Sequence, residues 1–272
     1  MPYFEAADGT RLFYNDWGTG KPVVFLHGWA VGSAMWEYQM ATLSRQRVRC
    51  IACDRRGCGL SEQPGHGYDF DTFADDLLAL LAHLDLKEVT LVGHSMAGGE
   101  IARYLSRYGA GRIARVVLIG TTTPFSLRTD DNPEGIERSV FDKMVADLEQ
   151  DRPHYLAANV AAFFRGDLPE IVVSSEIQQW IVGLALQSSP KATIDMVRAF
   201  SETDFRPDMR AFTLPTLILH GDHDTNAPID RCGRRTARLI PGSQLVVYPN
   251  AAHGLFFTHK DQLNRDLIAF LE

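Results

Sequence analysis

Six stretches of this 272-residue chain have strand length and run apolar with little polar alternation: Val23–Leu26, Val48–Cys53, Val89–Val92, Ala114–Ile119, Thr216–Leu219 and Gln244–Val247. A strand that does not alternate is buried on both faces, and such strands build parallel sheets covered by helices. The intervening segments supply helices: Phe73, Leu77, Leu78, Leu81 and Leu84 form one stripe within Phe70–Leu84. Leu263, Leu267, Ile268 and Leu271 do the same near the C-terminus. Two shorter strand-like stretches, Tyr3–Glu5 and Arg11–Asn15, open the chain around the turn signal Asp8-Gly9. Strand followed by helix, repeated, predicts an α/β architecture with a mostly parallel central sheet.

That rhythm stops between Phe125 and Arg210, where helical periodicity continues without a sheet strand. Phe141, Met144, Val145 and Leu148 share one face, and Trp180, Ile181, Leu184 and Ala185 another. The stretch is too long for a loop. The expected organisation is a core in two parts, residues 1–124 and 211–272, with a helical cap formed by residues 125–210.

Charge excludes some partners. The formal net charge is -7, with no basic block, so a nucleic acid finds no electrostatic footprint. The apolar windows are far too short to span a bilayer. Met1-Pro2-Tyr3-Phe4-Glu5 has neither the basic region nor the apolar run of a secretory signal, so a cytoplasmic location is expected. The sequence leaves a homo-oligomer open. Cys50 and Cys53 have CxxC spacing, but on a strand residues three apart point to opposite faces. Buried or half-buried thiols are therefore expected, rather than a metal or redox pair.

Leu91-Val92-Gly93-His94-Ser95-Met96-Ala97-Gly98-Gly99 is the most informative stretch. A buried strand ends at Gly93, and a helix striped with Ile101, Tyr104 and Leu105 starts just past Ser95. A serine on so sharp a turn needs small neighbours two positions to either side. Gly93 and Ala97 supply them, although a strict G-x-S-x-G pattern would miss the alanine. The turn would present Ser95 Oγ above the sheet at a helix N-terminus, where developing negative charge is favoured. A plain serine N-cap is the other reading of the same residues.

A tetrahedral intermediate needs two donors aimed at one oxygen. Met96 offers one backbone N–H. The loop Leu26-His27-Gly28-Trp29 is placed to offer the Trp29 N–H as the second. The Trp29 ring would then wall the acyl group, or simply pack in the core, and His27 would orient the loop. Two later strand ends carry an acid and a base: His220-Gly221-Asp222-His223-Asp224, and Asn250-Ala251-Ala252-His253-Gly254. His253 fits the base that takes the serine proton. Asp222 and Asp224 share a side of an extended segment, and spacing leaves both open as its partner. No histidine set at metal spacing accompanies them, so a catalytic metal is not expected. His220 fits a residue packed under the site and His223 one on the solvent side. His66, His83, His154 and His259 have no converging partners.

The chain resembles the cofactor-free bacterial haloperoxidase, perhydrolase and aryl-esterase branch of the α/β-hydrolases. The residues that carry the likeness are Phe25-Leu26-His27-Gly28-Trp29, Asp54-Arg55-Arg56-Gly57, Gly93 through Tyr104, Leu219 through Asp224 and His253-Gly254-Leu255-Phe256. The likeness implies an α/β-hydrolase fold with a helical cap and assigns the acid to Asp224, three residues past Gly221. Ser95 and His253 carry over as nucleophile and base, and Trp29 and Met96 as oxyanion donors. It further implies hydrolysis of small aryl or alkyl esters through an acyl-enzyme, with peracid formation or lactone opening as alternatives. Ala97 departs from the family glycine. Ala30 stands where many efficient perhydrolases carry proline, which tilts the expectation toward water as acyl acceptor. The expected pocket residues are Phe125, Phe163, Phe164, Trp180, Leu184 and Asn226, around a small uncharged ester. A serine at the elbow disfavours a dehalogenase or epoxide hydrolase. C–C bond hydrolysis on the same scaffold, and a non-catalytic ligand binder, are the remaining alternatives.

Overall fold

Each apolar run becomes part of one eight-stranded sheet in the computed structural model, which describes residues 2–272. The strands are β1 (Tyr3–Glu5), β2 (Arg11–Trp17), β3 (Lys21–Leu26), β4 (Val48–Cys53), β5 (Val89–His94), β6 (Ile113–Ile119), β7 (Thr216–Gly221) and β8 (Gln244–Tyr248). Their spatial order is β1-β2-β4-β3-β5-β6-β7-β8. The β1–β2 and β2–β4 pairs are antiparallel and every later pair is parallel. The carboxyl ends of β3 to β8 therefore share one edge, where an open α/β sheet places its ligand site.

Alternate residues of the strands feed two separate cores. Val24, Leu26, Ile51, Leu91, Val116, Leu118 and Ile218 pack on one face, under helices α2 (Phe70–His83) and α3 (Ala97–Tyr108). Val23, Phe25, Cys50, Ala52, Val92, Val117, Ile119, Leu217 and Leu219 pack on the other. That face is covered by α1 (Glu37–Leu43), by the C-terminal α9 (Lys260–Leu271) and by part of the insertion. Full burial of one such side chain stabilises by about 1.5–3 kcal/mol, which is why these strands show no polar alternation. Cys50 and Cys53 separate onto opposite faces, Cys50 in the second core and Cys53 against the first. All four thiols are free; Cys50, Cys58 and Cys232 are buried and Cys53 half-buried. Burial pushes the Cys50 thiol up to about 12, and the other three thiols are raised as well.

Between β6 and β7 the chain forms α4 (Arg138–Arg165), α5 (Ser175–Leu186) and α6 (Pro190–Glu202). Helix α4 is broken at Asp151, whose backbone is non-helical, two residues before Pro153. Asp151 Oδ1 accepts the His154 N–H at 3.0 Å, capping the second half. Short helices α7 (Gly233–Leu239) and α8 (Leu255–Thr258) complete the molecule. Among the described residues no helix is long and apolar enough to cross a membrane.

A buried ion pair locks the working edge. Arg55, just past β4, donates through Nε to Glu100 of α3 at 2.9 Å and through Nη2 at 2.5 Å. The same guanidinium donates to the His27 carbonyl at 3.0 Å, and the Arg55 N–H donates to His27 Nε2 at 2.9 Å. The turns after β3 and β4 and the helix after β5 thus share one charge network. Truncating one member of such a buried pair leaves the other charge uncompensated. Glu100→Ala is expected to lower the unfolding free energy by about 3–5 kcal/mol, read as a reduced denaturant midpoint at unchanged slope. A loss under about 1 kcal/mol would contradict the locking role.

Three histidines at that edge, His27, His94 and His220, are buried. Burial, assisted by the Arg55 charge, holds His27 well below its ordinary value; burial takes His94 down to about 3 and also lowers His220. Each is neutral when folded, whereas an unfolded histidine titrates near ~6.5. The unfolded chain therefore binds more protons below that pH. The stability these groups contribute is fully present above about pH 6.5 and declines as the pH falls below it. Unfolding measured from pH 7 to pH 5 is expected to weaken with a slope approaching about 1.4 kcal/mol per pH unit for each of His27 and His94, His220 adding in the same direction. A flat profile would show that these rings titrate in the fold as they do in the unfolded chain.

Candidate active site

Ser95 sits immediately past β5 with a left-handed backbone, φ +57. A non-glycine residue held there stores about 1–3 kcal/mol and needs its surroundings to enforce the turn. The Ser95 N–H donates to the Ile119 carbonyl at 2.9 Å, and the Ser95 carbonyl accepts from Gly98 N–H at 3.1 Å. Small side chains are required on both sides. A Cβ at Gly93 would lie 2.7 Å from Ile101 Cδ1 and 3.2 Å from Ala97 Cβ. Alanine at 97 therefore fits only because its neighbour across the turn is glycine. The Ser95 side chain does not cap α3, whose first turn receives no side-chain hydrogen bond at its N-cap.

Instead, Ser95 Oγ lies 2.9 Å from His253 Nε2, and His253 Nδ1 lies 2.7 Å from Asp224 Oδ2. With the proton on Nδ1, the imidazole donates to the carboxylate and its Nε2 accepts from the serine hydroxyl. Asp224 Oδ1 accepts the N–H groups of Asn226 at 3.0 Å and Ala227 at 2.8 Å. Burial works against the Asp224 charge, but the His253 and His220 rings and these backbone donors hold its carboxyl below its ordinary value. Asp222 points elsewhere: its carboxylate reaches the Ala251 N–H at 3.4 Å and is part-exposed. The two-residue spacing keeps both acids near the strand end, and the turn after β7 brings only Asp224 to the histidine.

The remaining histidines of the region are fully placed. His220 Nε2–H donates to the Ala227 carbonyl at 2.7 Å beneath the acid. His223 lies outside, 2.7 Å from Asp167. His94 Nε2–H donates to the His253 carbonyl at 2.9 Å, and the two rings are 4.6 Å apart. His94 Nδ1 has no partner among the described residues and faces Gly28, where a Cβ would approach it to 2.7 Å. The same hypothetical Cβ would lie 3.4 Å from Ser95 Cβ, so the Gly28–Trp29 loop passes directly over the serine. Among the described residues, neither the Trp29 nor the Met96 N–H is committed to a hydrogen bond. Ala30, next in the loop, has φ +59, and the Trp29 carbonyl accepts the Val31 N–H at 2.8 Å.

A cavity of about 440 Å³ opens on Ser95 and His253. Phe163 and Asn226 line it, whereas Phe125, Phe164, Trp180 and Leu184 do not. Helical phase accounts for the difference. On α5 the cavity takes Ile181, Val182 and Ala185, which leaves Leu184 in the sheet core and turns Trp180 edge-on to Tyr38. Phe164 packs behind Phe163 in that same core. Phe125 joins a small cluster with Phe141 and Val197. The two halves of α4 supply much of the lining: Phe141 and Met144 before the kink, Tyr155, Leu156 and Val160 after it. The apolar periodicity around Phe141 and Met144 was a sequence signal for these residues; the kink at Asp151 left no equally clear one for the second half. The Phe163 ring stands edge-on to His253, with centroids 5.4 Å apart, and the Phe163 carbonyl accepts the Gly254 N–H at 2.7 Å.

A serine, imidazole and carboxylate hydrogen-bonded in series can transfer a proton during nucleophilic attack. Comparison with known proteins agrees with this architecture. Residues 21–260 match the family model described as alpha/beta hydrolase fold. The chain is 42% identical to a non-heme haloperoxidase of Rhodococcus erythropolis, with 100% of each chain covered. It is 36% identical to a bifunctional esterase/perhydrolase of Acinetobacter calcoaceticus, covering 100% of this chain and 99% of that one. It superposes on a bromoperoxidase from Bacillus anthracis with a TM-score of 0.95, at 41% identity and 99% coverage of both chains. The chain belongs to the α/β-hydrolase fold family, within the branch of the non-heme haloperoxidases and esterase/perhydrolases.

Proposed function

We propose that this enzyme hydrolyses small aryl or alkyl carboxylic esters through an acyl-enzyme on Ser95. The observation that carries the reading is the buried relay from Ser95 Oγ through His253 to Asp224, with hydrogen bonds of 2.9 and 2.7 Å. Ser95 Oγ attacks the ester carbonyl carbon as its proton passes to His253 Nε2. The carbonyl oxygen becomes an oxyanion facing the Trp29 and Met96 N–H groups. Asp224 keeps the imidazole in the required tautomer and stabilises its charged form. Collapse of the intermediate breaks the bond to the leaving alkoxide, which takes the proton from Nε2. Water then gives a proton to Nε2 and its oxygen to the acyl carbon; collapse breaks the bond from the acyl carbon to Ser95 Oγ, which takes that proton back as the carboxylic acid leaves. The helical insertion, residues 125–210, acts as the cap that shapes the apolar cavity.

Peracid formation is the second reading, in which hydrogen peroxide replaces water in the final step. The named activities of the relatives favour it. The Ala30 backbone counts against it as the main activity: proline is confined to φ near about −65°, so this loop has a shape that a proline there would not permit. The Trp29 carbonyl meanwhile accepts the Val31 N–H at 2.8 Å, a bond that a peroxide would have to share.

Ser95→Ala is expected to reduce turnover of p-nitrophenyl acetate and butyrate by about 10⁴-fold or more with the melting temperature retained. A fluorophosphonate probe should label the parent enzyme at Ser95. Unlabelled folded protein would instead favour a ligand-binding role. Ala30→Pro should break the Trp29–Val31 turn, lower ester hydrolysis and raise the ratio of peracetic acid formed to acetate released. An unchanged ratio would separate the loop's backbone from acceptor choice.

A further inference from the structure

The loop that carries Trp29 is anchored at its ends by the sheet domain and in its middle by the helical insertion. Before it, His27 is pinned by Arg55; after it, the Ser33 N–H donates to Asp54 Oδ1 at 2.6 Å. Between them, Trp29 Nε1–H donates to the Thr193 carbonyl at 2.9 Å, and Ser188 Oγ–H donates to the Ala30 carbonyl at 2.5 Å. Ser188 lies in the junction of α5 and α6, and Thr193 in the first turn of α6. Ser188, Thr193 and Ala30 are all buried, so water does not compete for these bonds.

Ser188 is itself held from two sides. Its carbonyl accepts from Arg152 Nη1 at 2.6 Å, beside the break in α4, and the next residue, Ser189, donates its N–H to the Gly57 carbonyl at 2.8 Å. The junction is therefore tied both to α4 of the insertion and to the sheet domain. What it grips is the one strained residue of the loop, Ala30 at φ +59. A left-handed alanine persists only where its surroundings over-determine it. Without the Ser188 hydroxyl, the Ala30 carbonyl is buried without its donor and the strain at φ is free to relax. That relaxation turns the Trp29–Ala30 peptide and tilts the neighbouring peptide that presents the Trp29 N–H.

We infer that Ser188 is a positioning residue for ester hydrolysis: through the Ala30 carbonyl it holds the Trp29 N–H aimed at the reacting carbonyl oxygen. The inference rests on the reading of Trp29 as an oxyanion donor. Ser188 touches neither substrate nor reacting atoms, and it does not line the cavity. Its loss should therefore act on the transition state and leave ground-state binding alone.

The test is Ser188→Ala, compared with the parent enzyme on p-nitrophenyl butyrate. The expected result is a fall in kcat of about 10- to 100-fold, a part of what loss of a whole oxyanion donor removes, with KM unchanged within about threefold. Loop position is read separately in protein labelled with 15N at the indole of its four tryptophans, the Trp29 signal being assigned by its absence from Trp29→Phe. Ser188→Ala should move the Trp29 indole signal and leave the Trp17 signal in place. A kcat within about twofold of the parent's, a loss carried by KM, or an unmoved Trp29 signal would overturn the inference. An inactive parent enzyme would overturn the ester-hydrolase reading instead, and a moved indole signal would still demonstrate the tether. Should Ser188→Ala fail to fold, Ser188→Cys keeps the shape and leaves only a weak S–H donor to the Ala30 carbonyl. A kcat within about twofold of the parent's there would count against the inference.

Discussion

The left-handed turn at Ser95 is the constraint to which the rest of the molecule conforms. A serine does not hold φ +57 on its own account. It is held because β5 runs in the middle of the sheet, with its end bonded to β6, and because α3 starts at once on the other side. The price of that tightness is visible at Gly93, which has room for no more than a hydrogen opposite Ala97 and Ile101. Glu100, one turn into α3, answers with the buried Arg55 pair that ties the helix to the loop after β3. Backbone geometry, small residues and a buried charge pair thus converge on one side chain.

Much of this was legible in the sequence because it depends on short-range chemistry. Runs such as Val23–Leu26 and Val48–Cys53 can be buried on both faces only in a covered parallel sheet, and they are. Ser95 and the Trp29 loop stand directly after strand ends and His253 a short turn past one, so strand prediction nearly places them. The partner of His253 was a different matter. Asp222 and Asp224 differ only in how the chain turns after Gly221, and a spacing of two residues does not encode that turn. Family likeness pointed to Asp224, which is the carboxylate that reaches the imidazole.

The cavity lining was legible only in part, for a physical reason. Which face of a helix looks into a pocket depends on the angle at which the helix docks, and long-range packing sets that angle. On α5 a rotation of one residue separates Trp180, which packs on Tyr38, from Ile181, which faces the cavity. In α4 the break near Pro153 resets the phase, so a single periodic pattern cannot describe both halves. Phe163 and Asn226 sit beside His253 and Asp224 in sequence or space, and that proximity made them easier to foresee than residues deep in the insertion.

The thiols give the fold a chemical tolerance. Nucleophilic attack on a peroxide requires a thiolate, and a raised thiol value suppresses that form. Cys50, Cys53, Cys58 and Cys232 are all shifted upward, and none is exposed. At neutral pH the chain consequently offers an oxidant almost no ionised sulfur. Burial thus keeps the sulfur of this scaffold both out of solvent and in the form that reacts least with oxidants.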